Sequence, residues 1–192
     1  MSATTARRSV LVVCTGNLCR SPMTEALLRR RLAARGVDLD VGSVGLLEPD
    51  RPAPREVVAV LADLGIDASA HRSRRLAAEH IRQAEMVLGM ERQHVREVFV
   101  LDRESWPRTF TLKEMVRRGD SIGPRRLDET LGQWLERAHA GRRPSELLGE
   151  SPDDDIADPM GGDPWEYARA AAEIDDLVER LVELAWPEGA EG

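Results

Sequence analysis

The chain has 192 residues, 42% of them hydrophobic and 32% charged, which suits one domain with a substantial buried core. Its apolar runs fall far short of the ~20 residues that a membrane helix needs, and two cysteines five positions apart fit reduced thiols better than a disulfide scaffold. The net charge of −7 is uneven, because from Glu146 onward 15 acidic side chains stand against only Arg169 and Arg180; the skew reads as a solvated acidic helix, and the single lysine, Lys113, among 27 basic residues carries no nucleic-acid signal.

Residues 1–8 hold no apolar leader stretch, so the expected setting is cytoplasmic. Val10 to Val13 reads as a short buried strand. Pro22, behind Ser21, marks the first turn of a helix reaching Arg35, with Ala26, Leu27, Leu32 and Ala33 for a core and Gly36 as the stop. Asp40 to Ser43 follows as a second strand, and Pro52 to Leu64 as a helix ended by Gly65. Met86 to Leu88 gives a third strand and Glu91 to Val98 a helix. A fourth strand is expected at Val98 to Leu101 or at Arg108 to Thr111. Phe110 to Arg118 reads as a short helix, and Leu127, Leu131, Trp134, Leu135 and Ala138 form an apolar stripe for another. The last helix, Pro164 to about Ala185, carries Ala171, Ile174, Val178, Leu181 and Ala185 on one face, and the tail after Trp186 is expected to fray.

Strands alternating with helices predict an α/β fold, a three-layer α/β/α sandwich around a parallel sheet of about four strands. Ligands in such a sheet bind beyond the carboxyl ends of the strands. There lies Cys14-Thr-Gly-Asn-Leu-Cys-Arg20-Ser21, at the first strand-to-helix crossing. The helix start offers unpaired N–H groups and the positive end of its dipole, which together bind oxyanions. Gly16 and Asn17 suit a tight or left-handed turn. A free thiol titrates near ~8.5 but falls to roughly 3.5 to 7.5 beside a helix start or a cation, so Cys14 is expected as a thiolate. Arg20 can hold two phosphate oxygens with its planar fork, and Ser21 can donate to the sulfur. This spacing points to thiolate attack on a phosphoryl group. A buried cysteine at an ordinary strand end would leave the Gly-Asn pair and the Arg-Ser-Pro run unexplained.

These residues resemble the signature of the low-molecular-weight protein tyrosine phosphatases, Val-Cys-x-Gly-Asn-x-Cys-Arg-Ser-Pro, at every fixed position from Val13 to Pro22. The likeness extends to Gly65 through Arg74, Ala84 through Met90, and Asp155 through Pro159. It implies a single phosphatase domain over 1–192, with a helical insertion around 103–152. It also implies catalysis by Cys14, Arg20 and Asp158 through a cysteinyl-phosphate. Thr15, Gly16, Asn17, Leu18, Cys19 and Ser21 would complete the phosphate-binding loop, with Ser43 and His71 hydrogen-bonding Asn17 and Arg74 supporting the same turn.

Asp158 is the one acid of its stretch followed by proline, which biases it to an extended backbone. In the resembled family the aspartate of Asp-Pro is the general acid that later activates water. Asp153 to Asp155 read as solvated charge, one of them tuning Asp158 as the lesser option. Cys19 fits a buried space-filler, a disulfide partner for oxidised Cys14, or both. Leu46, Leu47 and Met160 are the substrate-pocket candidates, where the family often places aromatic rings. A phosphorylated protein is the expected partner, with no nucleic acid and no membrane. No metal or cofactor is implied, since His80, His94 and His139 show no ligand spacing. The related protein-arginine phosphatases share Cys14-Thr15-Gly-Asn, Phe110-Thr-Leu-Lys-Glu and Asp158-Pro-x-Gly-Gly, so phosphoarginine is the alternative substrate. An arsenate reductase would need further cysteines downstream, and a non-catalytic phosphate-binding module would be expected to lose Cys14 or Asp158.

Overall fold

The structure, a computed structural model, describes residues 9–189, so residues 1–8 and the end of the tail, 190–192, lie outside the described residues. Along the chain the elements are β1 (Ser9–Cys14), α1 (Arg20–Ala34), β2 (Asp40–Gly45), α2 (Arg55–Asp63), α3 (Ala78–Gln83), β3 (Met86–Gly89), α4 (Arg92–Leu101), β4 (Thr109–Thr111), α5 (Leu112–Ile122), α6 (Leu131–His139) and α7 (Pro164–Ala185). Side chains alternate along a strand with a period of two. Val10, Val12 and Cys14 of β1 therefore enter one core, while Leu11 and Val13 enter another. A strand that is apolar on both faces needs cover on both sides. It takes an inner place in an all-parallel sheet of order β2-β1-β3-β4, with Val12 opposite Ser43 on one side and Leu88 on the other.

The larger core lies under α1, α2, α5, α6 and α7. Ile81 of α3 and Val98 of α4 close the smaller one on the opposite face. The result is the three-layer α/β/α sandwich, and it sets Cys14 at the carboxyl end of an inner strand. No helix among the described residues is long and apolar enough to cross a membrane.

Several boundaries differ from the sequence expectation for identifiable reasons. α1 begins at Arg20 rather than Pro22. The first four N–H groups of a helix have no internal partner, so proline at the third position loses nothing. Pro52 pairs across to Arg72 instead of opening α2. Of the two places for a fourth strand, Thr109–Thr111 is correct and Val98–Leu101 is not. That stretch ends α4, where His94, Val95 and Val98 are buried at helical spacing while Val100 faces out. Phe110 accordingly belongs to β4, and the Thr111 hydroxyl caps α5 by accepting from Glu114 N at 3.0 Å. Leu127 is 66% exposed and precedes α6, which starts behind a capping box of Thr130 and Gln133.

Residues 103–152 hold the sheet's fourth strand as well as α5 and α6. One buried cation joins them. The Arg142 guanidinium lies between the rings of Trp106 and Phe110, 3.9 and 4.0 Å from their centroids. It also grips Glu114 with two bonds, of 2.7 and 2.9 Å, and donates to Thr109 O at 2.8 Å. Removing one member of such a pair strands the other charge. Arg142→Met is therefore expected to lose about 3–5 kcal/mol of unfolding free energy in urea, with Arg142→Lys recovering only part of it because it lacks the fork.

Candidate active site

The turn from β1 into α1 curls around the Cys14 sulfur. Asn17 holds a left-handed backbone, φ 52°, which asparagine tolerates better than most residues. Its N–H donates to Cys14 Sγ at 3.1 Å, and Ser21 Oγ lies 3.0 Å from the same sulfur. The side chain of Asn17, fully buried, commits every polar atom. Nδ2 donates to Ser21 Oγ at 2.9 Å and to Ser43 Oγ at 2.7 Å, and Oδ1 accepts from Arg74 N at 2.8 Å. Since Ser21 Oγ accepts from Asn17, its own proton is free for the sulfur. Ser43 Oγ likewise passes its proton outward, to Glu25 Oε2 at 2.5 Å.

The carbonyl of Asn17 accepts from His71 Nε2 at 2.8 Å, which fixes that nitrogen as the protonated one. Arg74 turns its guanidinium onto Ser43 O, at 2.9 and 3.2 Å, tying β2 to the same turn. The two layers meet very closely here. A Cβ on Gly45 would sit 2.6 Å from Asn17 N, 2.8 Å from Gly16 C and 2.9 Å from Thr15 O.

Arg20, 1% exposed, enters the site from the first residue of α1. Nη1 donates to Ile156 O at 2.8 Å and pairs with Glu91 Oε1. Nη2 reaches Asp158 Oδ2 at 2.8 Å. Nε is buried without a hydrogen-bond partner. Asp158 itself is partly exposed, its Oδ1 accepting from Met160 N at 3.2 Å, and Tyr167 OH of α7 accepts from Gly161 N at 3.1 Å.

Of the charges expected to be solvated, Asp153 is exposed, whereas Asp154 and Asp155 are not free in this way. Asp154 is buried and bonded to both Arg92 Nε and Arg117 Nη2 at 2.7 Å. Burial would raise its pKa, but the Arg117 and Arg92 guanidiniums outweigh that and hold it below its ordinary value. Asp155 accepts from Arg92 N and Ser151 N, at 2.7 and 2.8 Å, and Ile156 N donates to Met90 O at 2.9 Å. The segment is thereby stitched to the end of β3 and the start of α4.

Around the loop, Thr15 O accepts from Leu46 N and Leu47 N, and Thr15 Oγ1 lies 3.0 Å from His94 Nε2. Leu47 and Met160, whose N–H groups bond Thr15 O and Asp158 Oδ1, are 50% and 45% exposed, whereas Leu46 packs against the smaller core. Leu18 and Cys19 are buried in the larger one. Burial, then the nearby Asp158 and Cys14, push the Cys19 thiol up to about 12. Among the described residues no three His, Cys, Asp or Glu side chains gather as a metal site.

Residues 9–122 match the low molecular weight phosphotyrosine protein phosphatase family. The chain belongs to that family. The matched span holds the whole Cys14 loop with Ser43, His71 and Arg74, and stops short of Asp158. A low molecular weight protein-tyrosine-phosphatase of Escherichia coli K12 is 36% identical over 118 residues, 62% of this chain and 78% of its own length. A protein-arginine-phosphatase of Geobacillus stearothermophilus is 34% identical over 174 residues, 91% and 93% of the two chains. Among solved structures, a low molecular weight protein tyrosine phosphatase from T. tengcongensis is similar at TM-score 0.70 and 31% identity, covering 92% of this chain and 98% of its own.

Glu25, Glu91, His94 and Tyr167 reach the site without having been singled out by sequence. Each sits on a helix or just before one, where local periodicity says nothing of what the side chain touches. The signal available for Glu91 and His94 was only their place just after β3, at the sheet end that carries the loop.

Two outcomes follow from the geometry. Gly45→Ala should weaken inhibition by inorganic phosphate at least about tenfold, because the atoms that it meets are backbone of the anion loop. In native protein at pH 7 to 8, Cys19 should resist iodoacetamide and become alkylated only on unfolding, as peptide mass spectrometry would reveal.

Proposed function

We propose that the chain is a cysteine-dependent protein phosphatase that hydrolyses phosphotyrosine-type monoesters through a cysteinyl-phosphate. The observation that carries this reading is the Arg20 fork. With Nη1 committed to Glu91 and Ile156 O, the remaining edge is Nε, a buried donor without a partner, and Nη2, which gives one of its two protons to Asp158 Oδ2 and keeps the other. That edge matches two phosphoryl oxygens side by side. The loop N–H groups from Thr15 to Arg20, apart from that of Asn17, which donates to the sulfur, take the rest of the negative charge, held by the network on Asn17.

In the first half-reaction Cys14 Sγ attacks phosphorus, the S–P bond forms, and the bond to the tyrosyl oxygen breaks. Asp158, in its protonated form, gives that oxygen its proton. In the second half the Asp158 carboxylate takes a proton from water as the water attacks phosphorus. The S–P bond breaks and inorganic phosphate leaves. Ser21 Oγ, donating to Cys14 Sγ, stabilises the sulfur anion in both halves. Ser43, His71 and Arg74 act through Asn17, and Leu47 and Met160 flank the leaving group. Two free thiols support a reducing, cytoplasmic setting.

A second reading, phosphoarginine hydrolysis, is favoured by one observation: the protein-arginine-phosphatase relative aligns over 91% of this chain, against 62% for the E. coli tyrosine phosphatase. Phosphate release from matched phosphotyrosine and phosphoarginine peptides separates the two. Faster turnover of phosphotyrosine is expected, and the reverse order would replace the first reading by the second. Cys14→Ser should abolish turnover on both, by three orders of magnitude or more, and Asp158→Asn should lower kcat by about 10²–10⁴. Turnover by either variant within a few-fold of wild type would contradict the mechanism.

A further inference from the structure

His94 takes no part in the mechanism above, yet it is fully buried against the loop. Its Nε2 lies 3.0 Å from Thr15 Oγ1, and its Nδ1 is buried with no partner. The charged groups facing the ring are Arg20 of α1, Arg96 of α4 and Glu91, whose Oε2 is 3.9 Å from Nε2. Burial first, then Arg20 and Arg96, lower the imidazole pKa to about 3, so the ring is neutral and its contact with Glu91 is no ion pair. A neutral ring carries one proton. An orphaned N–H is rarer in folded proteins than an orphaned acceptor, which assigns the proton to Nε2 and leaves Nδ1 bare.

Thr15 Oγ1 then meets donors only. Besides His94 Nε2–H, Gln93 Nε2 stands 3.4 Å away and Arg20 Nη2 3.5 Å away, and neither group can accept there. The hydroxyl proton is turned away from all three. Arg20 Nη2, the atom that also reaches Asp158, belongs to the edge left for phosphoryl oxygens. We propose that His94 is a positioning residue that orients the Thr15 hydroxyl as a hydrogen-bond donor to the phosphoryl oxygen held by Arg20. The inference rests on the phosphatase reading and adds one side-chain donor to the loop N–H groups. A donor fixed in this way needs no reorganisation as charge develops on that oxygen.

The test combines a coupling experiment with a spectrum. Thr15→Val and His94→Leu should each lower kcat/KM about tenfold, the double variant should fall no further, and His94→Gln, whose amide can donate from a similar place, should recover most of the loss. Nitrogen-15 spectra of the wild-type imidazole should show Nε2 protonated and Nδ1 bare from pH 5 to 8. A Thr15→Val variant with wild-type kcat/KM, additive losses, or a ring protonated on Nδ1 or on both nitrogens would each overturn the inference while leaving Cys14 chemistry standing. Wild-type protein that releases no phosphate from either peptide would instead overturn the phosphatase reading beneath it. The ring spectrum is independent of turnover and keeps the two failures apart.

Discussion

The site depends on one asparagine held in a conformation that costs energy. A non-glycine residue at positive φ carries on the order of 1–3 kcal/mol of strain when it is held there. Asn17 offsets this with bonds from its N–H, its carbonyl and both polar atoms of its amide, which make three between them. Each is worth about 0.5–1.5 kcal/mol net. The partners come from β1, α1, β2 and the segment at 71–74, so the curl of the loop is a property of the assembled domain. The proton order is equally fixed. Asn17 donates to both serines, Ser21 then has a proton for the sulfur, and Ser43 passes one to Glu25.

Arg20 sets the second constraint. A buried guanidinium needs neutralising contacts, because desolvation of an unpaired charge costs several kcal/mol. Glu91 and the Ile156 carbonyl supply them at Nη1 and Asp158 at Nη2, leaving Nε as the donor without a partner. Ile156 can serve only because its own chain is tied down, by Met90 O and by the Arg92 and Arg117 bonds to Asp154 and Asp155. The charges of 154 and 155 are thus structural ties for the segment that carries Asp158.

Much of this was legible in the sequence. Val10 to Val13 announced a buried strand, Pro22 a helix start, and Gly16-Asn17 the tight turn between them. Local pattern carries such information because a strand's two-fold alternation and a helix start depend on neighbouring residues. The positions of Glu25, Glu91 and His94 depend instead on which elements the sheet brings together, which no local window contains. The two candidate places for a fourth strand failed to separate for a related reason. Val98 to Leu101 is short, apolar and β-branched, and only the helical burial of His94, Val95 and Val98 assigns it to α4. Asp154 looked solvated because the arginines that pair with it lie 62 and 37 residues away.

The contact between Arg20 and Asp158 spans 138 residues of chain. A ribosome adding roughly 5–20 residues per second therefore delivers the entire phosphate loop on the order of ten seconds before it delivers the acid. The acid's segment is anchored in turn by α7, whose Asp175 and Glu179 pair with Arg31 of α1 and whose Tyr167 holds Gly161. A nascent chain thus carries Cys14 and Arg20 well before it carries the Asp158 that pairs with Arg20. In the mechanism proposed above, completing synthesis, rather than forming the loop, is the event that makes the site catalytic.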